Sequence, residues 1–205
     1  MLKLIESLRE RRSIRKYQHR AVPEEAILAV LTAAGWAPSA HNAQPWRFIV
    51  VTDAFLKRNL AEEMSNSWSL DVAEDGLRIE PEQVRLRIER FASAPVLILG
   101  CLSMEGMATF ADERRQICEH DLAMQSLATS LQNLLLAAHA KGLGACWFCA
   151  PAFCKEAVRD VLLIPSDVDP EALIVLGYPA ENPAAPPRRP LADFCFKDKW
   201  GGKLA

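Results

Sequence analysis

The chain has 205 residues, 50% of them hydrophobic and 24% charged, with a formal net charge of −2. That is enough for one domain with a sizeable core, and the composition is that of an ordinary globular protein. The small net charge excludes a global field that would gather nucleic acid or an anionic membrane, and no apolar run reaches transmembrane length.

The charged start (Lys3, Glu6, Arg9 to Arg12) does not read as a secretory signal, so a cytoplasmic location is expected. Leu2 to Arg11 is a short helix candidate, with Leu2, Ile5 and Leu8 at steps of three. Pro23 opens a second helix, with Glu24 and Glu25 in its first turn and Ile27, Val30, Leu31 and Ala34 on one face; Gly35 is its stop. A polar loop from Pro38 to Pro45 leads into a strand at Phe48 to Val51.

Ala54 to Phe91 reads as helical, charged and broken at Asp75-Gly76. Ala94 to Leu99 is a continuous apolar run, expected as a strand covered on both faces. Asp121 to Lys141 gives the longest helix signal, capped by Asp121 and closed by Gly142. Its stripe of Ala123, Leu127, Leu131, Leu134, Leu135 and Ala138 is flanked by Ala128, Leu136 and Ala137. A helix apolar on so many faces belongs in a core or a subunit interface. A strand at Ala145–Cys149, a helix at Phe153–Leu163, a strand at Ala172–Leu176 and a Pro-rich tail from Pro183 to Pro190 complete an α+β reading of residues 1–205 as a single domain.

Two polar clusters carry chemistry. Arg11-Arg12-Ser13-Ile14-Arg15 places three guanidiniums and a hydroxyl within five residues, a set suited to gripping a phosphate bidentately. Pro38-Ser39-Ala40-His41-Asn42-Ala43-Gln44-Pro45-Trp46 holds amide and hydroxyl groups on a loop framed by prolines, suited to a planar polar ligand. Cys146, Cys149, Cys154 and Cys195 could be set out as a zinc or iron–sulfur site, but only one close pair is present and it falls inside a strand. Buried thiols are therefore expected, and no metal site. Gly142-Leu-Gly144 lacks the third glycine of a dinucleotide fingerprint. His120 and His139 have no carboxylate pattern around them, and His120 is expected at the surface near a helix start.

Taken in order, the arginine cluster, about twenty-five residues, the Pro-Ser-x-x-Asn-x-Gln-Pro-Trp loop and a strand resemble the amino-terminal signature of the nitroreductase family. Asn133 to Ala138 followed by Lys141-Gly-Leu-Gly144 is similar to that family's central helix and turn, and Arg188-Arg189-Pro190-Leu191 resembles its basic tail. The resemblance implies a three-layer α/β/α sandwich with a long buried central helix, a homodimer, and FMN held between subunits. It further implies that Arg11, Arg12, Ser13, Arg15 and either Arg188 or Arg189 bind the flavin. Pro38, Ser39 and Asn42 would reach it from the partner, and the backbone of Cys149 and Ala150 would lie against its hydride-accepting nitrogen.

The activity implied is ping-pong hydride transfer from NADH or NADPH through FMN to a small-molecule acceptor, with no side chain required as acid or base. Cys146 to Cys154 and Leu176-Gly-Tyr-Pro179 look most like members associated with deazaflavin-coenzyme biosynthesis, which gives the alternative of a reductase acting on a deazaflavin precursor. A non-catalytic flavin- or metal-binding protein ranks last. Residues 61–89, with Arg85, Arg87 and Arg90, are expected to form a mobile lid that selects acceptors.

Overall fold

The computed structural model describes residues 2–203, so Met1, Leu204 and Ala205 of the single-domain reading lie outside it. Four strands form one sheet: β1 (Trp46–Val51), β2 (Val96–Ser103), β3 (Gly144–Phe148) and β4 (Val168–Gly177), in the order β1-β2-β4-β3. Every pairing is antiparallel. The helices are α1 (Leu2–Glu10), α2 (Glu24–Gly35), α3 (Ala54–Glu74), α4 (Pro81–Ala92), α5 (Glu113–Ala140), α6 (Ala150–Phe153) and α7 (Lys155–Leu162).

All eight residues of β2 are buried, and its side chains alternate between two cores. Val96, Ile98 and Leu102 pack with Ile174 and Leu176 of β4 against α2 and α5. Leu97, Leu99 and Cys101 pack with Leu173 and Val175 against α3 and α7. The sheet is thus sandwiched between two helical layers, as expected. Ala94 to Leu99 was legible as a doubly covered strand because both of its faces are apolar.

The long helix starts earlier than its apolar pattern suggests. Asp112 is the cap, its side chain accepting from the Arg115 N–H at 3.0 Å, so Asp121 and His120 are interior positions. The expectation of His120 at a surface helix start is therefore corrected: it is half-buried and faces Asp169 and Glu171 of β4. Residues 113–120 are mostly polar, and periodicity cannot detect a turn that buries so little. The predicted stripe from Ala123 to Ala138 is buried, and Gly100 gives it room: a Cβ there would stand 3.1 Å from Leu131.

Ser13 to Tyr17 crosses the sheet's end, bridging Ser13 to Ala145 and Tyr17 to Pro179. The crossing needs Gly144 and Gly177. A Cβ on Gly144 would meet Ile14 at 2.8 Å, and one on Gly177 would meet Pro95 at 2.7 Å and Tyr17 at 2.8 Å. The Tyr17 hydroxyl donates to the carbonyls of Ile14 and Val175, and burial pushes its pKa above the usual phenol range. Gly144→Ala is expected to cost roughly 1–3 kcal/mol, because the clash falls on the base of a buried branched side chain rather than on a flexible tip. Urea unfolding checks this; an unchanged midpoint would mean that Ile14 is not pressed onto β3.

Candidate active site

The site begins where α1 ends. The Arg12 guanidinium donates to the Arg9 carbonyl at 2.6 Å and the Arg11 carbonyl at 3.0 Å, satisfying groups the helix end leaves open. Beyond it the chain is extended, and the Ile14 N–H donates to the Ala145 carbonyl at 3.0 Å. Alternation turns Ile14 to one side, against Gly144 of β3, and Ser13 and Arg15 to the other. Arg11, Ser13 and Arg15 gather around Cys146, where Arg90 of α4 joins them. Burial raises the Cys146 thiol pKa, and those basic groups oppose the rise.

Among the described residues, Arg11, Arg15 and Arg90 form no ion pair; the Arg15 guanidinium reaches only the Ser13 carbonyl at 3.4 Å. The nearby carboxylate, Glu181, accepts instead from the backbone N–H groups of Arg15 (2.6 Å) and Lys16 (3.1 Å). It fixes the strand and leaves the guanidiniums free. A cationic cluster without acidic partners fits a dianionic phosphate. Beside it lies a cavity of about 660 Å3, bounded by Arg11, Arg12, Gly144, His139 and the carboxylates Glu10 and Glu181, within the usual size of a cofactor pocket.

The polar loop sits elsewhere. His41, Asn42 and Gln44 all adopt positive φ, at 55°, 52° and 49°. Asn tolerates this conformation, but three such residues within four positions store strain of about 1–3 kcal/mol each, which surrounding contacts must hold. The α5 helix supplies those contacts. The Ser126 hydroxyl accepts from the Ala40 N–H at 3.1 Å, and the Thr129 hydroxyl donates to the Pro38 carbonyl at 3.1 Å. Buried Glu119 lies 3.3 Å from His41 Nε2 and also accepts from the Ala108 N–H at 3.2 Å. Ser130 and Asn133 reach the last carbonyls of α2, those of Ala34 and Ala33. Within the loop, the Ser39 hydroxyl accepts from the Gln44 N–H at 3.1 Å.

Of these α5 side chains only Asn133 entered the sequence reading, as the start of the central-helix motif, and none was assigned to the loop. A signal did exist: Glu119, Ser126, Ser130 and Asn133 recur at helical spacing inside an otherwise apolar helix. Glu181 carried no comparable signal, because the N–H groups it binds belong to a distant part of the chain, and Arg90 was read only with the lid.

The third part is the end of β3. Cys149 leaves the strand at φ −97° and ψ 17°, in the sparsely populated bridge region, and Ala150 starts the single turn of α6. Cys149 is exposed, so the expected buried thiol is corrected there, and the strand expected to reach it stops at Phe148; Ala150 is half-buried. All six cysteines are free. Burial pushes the Cys101 thiol up to about 12 and Cys154 up to about 11, so both are neutral and unreactive at pH 7. Among the described residues, His, Cys, Asp and Glu gather at metal-binding distance at His120, Asp169 and Glu171, with no cysteine among them. Lys155 already bonds Glu171 at 2.6 Å, and Arg159 bonds Asp169.

One chain does not bring the predicted residues together. Arg11 and Arg12 lie by the Gly144 end of β3 and Ser13 bridges Ala145, whereas Cys149 and Ala150 follow its other end, where Cys149 lines a cavity with Met124, Leu127 and Ala128 of α5. Pro38 and Ser39 lie beside Ser126, thirteen residues along α5 from His139, or about 20 Å at 1.5 Å per residue, and Asn42 lies with Trp36 and Gln44 on the other side of Pro38. Arg188 and Arg189 are exposed on an extended tail, and the bond that Arg188 makes is to the neighbouring Pro187 carbonyl.

The family model described as the nitroreductase family matches residues 8–178. The chain belongs to the nitroreductase family. Membership makes it an oxidoreductase, and this family's sandwich is the fold observed. A protein of Methanothermobacter thermautotrophicus, provisionally named NADH dehydrogenase/NAD(P)H nitroreductase, is 36% identical over 184 residues, covering 88% of this chain and 79% of its own length. An NADH dehydrogenase of Thermus thermophilus is 34% identical over 197 residues, covering 89% of each chain. Among solved structures, a provisionally named nitroreductase from Desulfovibrio desulfuricans in complex with FMN superposes with a TM-score of 0.72 at 29% identity, covering 96% of each chain. No helix among the described residues is long and apolar enough to cross a membrane.

Proposed function

We propose that this nitroreductase-family protein is an FMN-dependent NAD(P)H oxidoreductase that works as a homodimer, each flavin site being built from both subunits. The observation that carries the reading is the cluster of Arg11, Ser13 and Arg15 beside β3, whose two guanidiniums hold no carboxylate among the described residues. The names of its relatives supply the donor class, and the FMN complex of the Desulfovibrio structure supplies the cofactor.

In this reading Arg11, Ser13 and Arg15 hold the phosphate, and Arg12 closes the end of α1 next to it. Arg188 or Arg189 joins them from the tail. Cys149 and Ala150 present backbone to the flavin ring, while Pro38, Ser39 and Asn42 cover it from the partner subunit. When bound, FMN supplies the redox chemistry, accepting hydride from NADH or NADPH and passing electrons to a small acceptor in alternate half-reactions. The protein binds, orients and excludes water, and no side chain is assigned a proton to move. Of residues 61–89, Ala61, Met64 and Ser65 are packed against the sheet, and the lid role is given to the more exposed stretch beyond them.

The dimer reading is supported by apolar side chains that one chain leaves uncovered. Leu4, Ile5 and Leu8 on α1, and Ile117 and Leu122 on α5, are all exposed. A narrower reading, reduction of a deazaflavin precursor, rests on the resemblance of Cys146 to Cys154 and of Leu176 to Pro179 to members of that branch. The purified protein should be yellow, with two flavin absorbance bands, and initial rates at several fixed acceptor concentrations should give parallel double-reciprocal lines. Intersecting lines would rule out the ping-pong order, and a colourless protein that takes up no FMN would rule out the cofactor.

A further inference from the structure

A second, smaller cavity of about 230 Å3 lies between α3, α4 and α6, on the other side of Ala150 from the strand end. Met64 and Trp68 of α3, Arg87 of α4, and Phe153 and Cys154 line it, with Asp71 at its edge. Its volume is below the usual range for cofactor pockets, which suits one aromatic ring rather than a fused system. Trp68 supplies a flat wall and Phe153 an apolar one.

The arginines of this hairpin are treated unequally. Arg58 holds Glu89 at 3.0 Å, and Arg85 holds Glu82 at 2.7 Å. Arg87 and Arg90 hold no carboxylate among the described residues, although Glu89 lies between them in sequence. Instead the Arg87 guanidinium stacks 4.5 Å above the Trp68 ring, and Arg90 stands 5.9 Å from the centre of the Phe148 ring. Arg87 Nε is buried with no hydrogen-bond partner. Burial, and then the like charge of Arg90, lower the Arg87 pKa. A half-buried guanidinium with an unpaired Nε and a cationic neighbour is costly to maintain, and an anion held by its other donors would offset that cost.

We propose that this cavity is the subsite for a single-ring aromatic anion, with Trp68 stacking on the ring and Arg87, backed by Arg90, holding its acidic group. The acceptor, on this reading, carries a carboxylate or an equivalent charge. Asp71 makes no ion pair with Arg87 and is exposed at the edge, so the guanidinium stays available. The assignment to acceptor rests on the flavin reading above; the anion preference does not.

Two ligands of equal shape separate charge from size: 4-nitrobenzoate and 4-nitrobenzamide. Calorimetric titration of the wild-type protein is expected to show the acid bound about ten to a hundred times more tightly than the amide, the range of a charged hydrogen bond. Arg87→Met keeps the stem on Trp68 and should erase that ratio, while Arg87→Lys restores part of it. Arg58→Met, on the same hairpin, should leave the ratio unchanged. With the flavin-loaded enzyme, Arg87→Met should raise KM for the acid towards that for the amide, and Arg58→Met should leave both unchanged.

Equal wild-type affinities for acid and amide would overturn the proposal. So would an Arg87→Met protein that keeps the preference, or one that loses flavin while keeping it, since Arg87 would then be a cofactor ligand. A protein that binds the acid through Arg87 but takes up no flavin would uphold the anion subsite and sink the flavin reading alone.

Discussion

Replacing Arg11 and Arg15 together by alanine is expected to strip the protein of FMN. Each charged hydrogen bond to a phosphate contributes about 1.5–3 kcal/mol, and both guanidiniums are free of carboxylates in this structure. Losing both should weaken FMN binding by about two orders of magnitude or more, since 1.4 kcal/mol corresponds to a factor of ten. The fold should survive, because neither side chain is in the core; Ile14 and Tyr17 anchor this segment. Titration of flavin fluorescence against the refolded apoprotein measures the change. A double variant that purifies with a full complement of FMN would place the phosphate elsewhere. The cavity between Arg12, His139 and Asn182 would then be the next site to probe.

Two variants that each fail alone are expected to work when mixed. The loop packs on the middle of α5, at Ser126 and Thr129, while Arg11 lies by its His139 end, ten to thirteen residues or about 15–20 Å further along the axis, so a site built from both is expected to draw them from different subunits. If the loop comes from the partner, a chain carrying Arg11→Ala and Arg15→Ala still offers a sound loop. A chain carrying Ser39→Ala and Asn42→Ala still offers sound arginines. Their heterodimer, purified through two different tags, should regain one FMN per dimer and about half the wild-type activity. Each homodimer should stay largely empty. A heterodimer without flavin would mean that both groups act within one subunit, and a flavin-loaded monomer by light scattering would remove the shared site altogether.

Much of the site was legible because it is local in sequence. The arginine cluster and the Pro38–Pro45 loop announce themselves by unusual density of one chemistry, and an extended strand sorts Arg11, Ser13 and Arg15 from Arg12 and Ile14 by simple alternation. The cysteines illustrate the reverse. Their spacing invites a metal reading, but Cys146 and Cys154 are thiols raised in pKa by burial, packed in the core beneath β3 and α7. The carboxylates near His120 were invisible because Asp169 and Glu171 lie about fifty residues further along and are brought over only by the β4 strand.

The amino-acid sequence by itself determined the elements whose apolar period is strong. These are α2 from its Pro23 start to Gly35, the doubly buried β2, and the stripe of α5 from Ala123 to Ala138. Burial of a continuous apolar face outweighs every local preference there, and the pattern can be read without knowing what covers it. The tertiary structure alone decided where α5 begins, how Glu119, Ser126 and Thr129 hold a strained loop, and which arginines keep their charge free. Those outcomes depend on whether a carboxylate or hydroxyl from a distant segment arrives within hydrogen-bond reach. Arg58 meets Glu89 and Arg87 meets only an indole face, a difference that the sequence of two neighbouring helices does not contain.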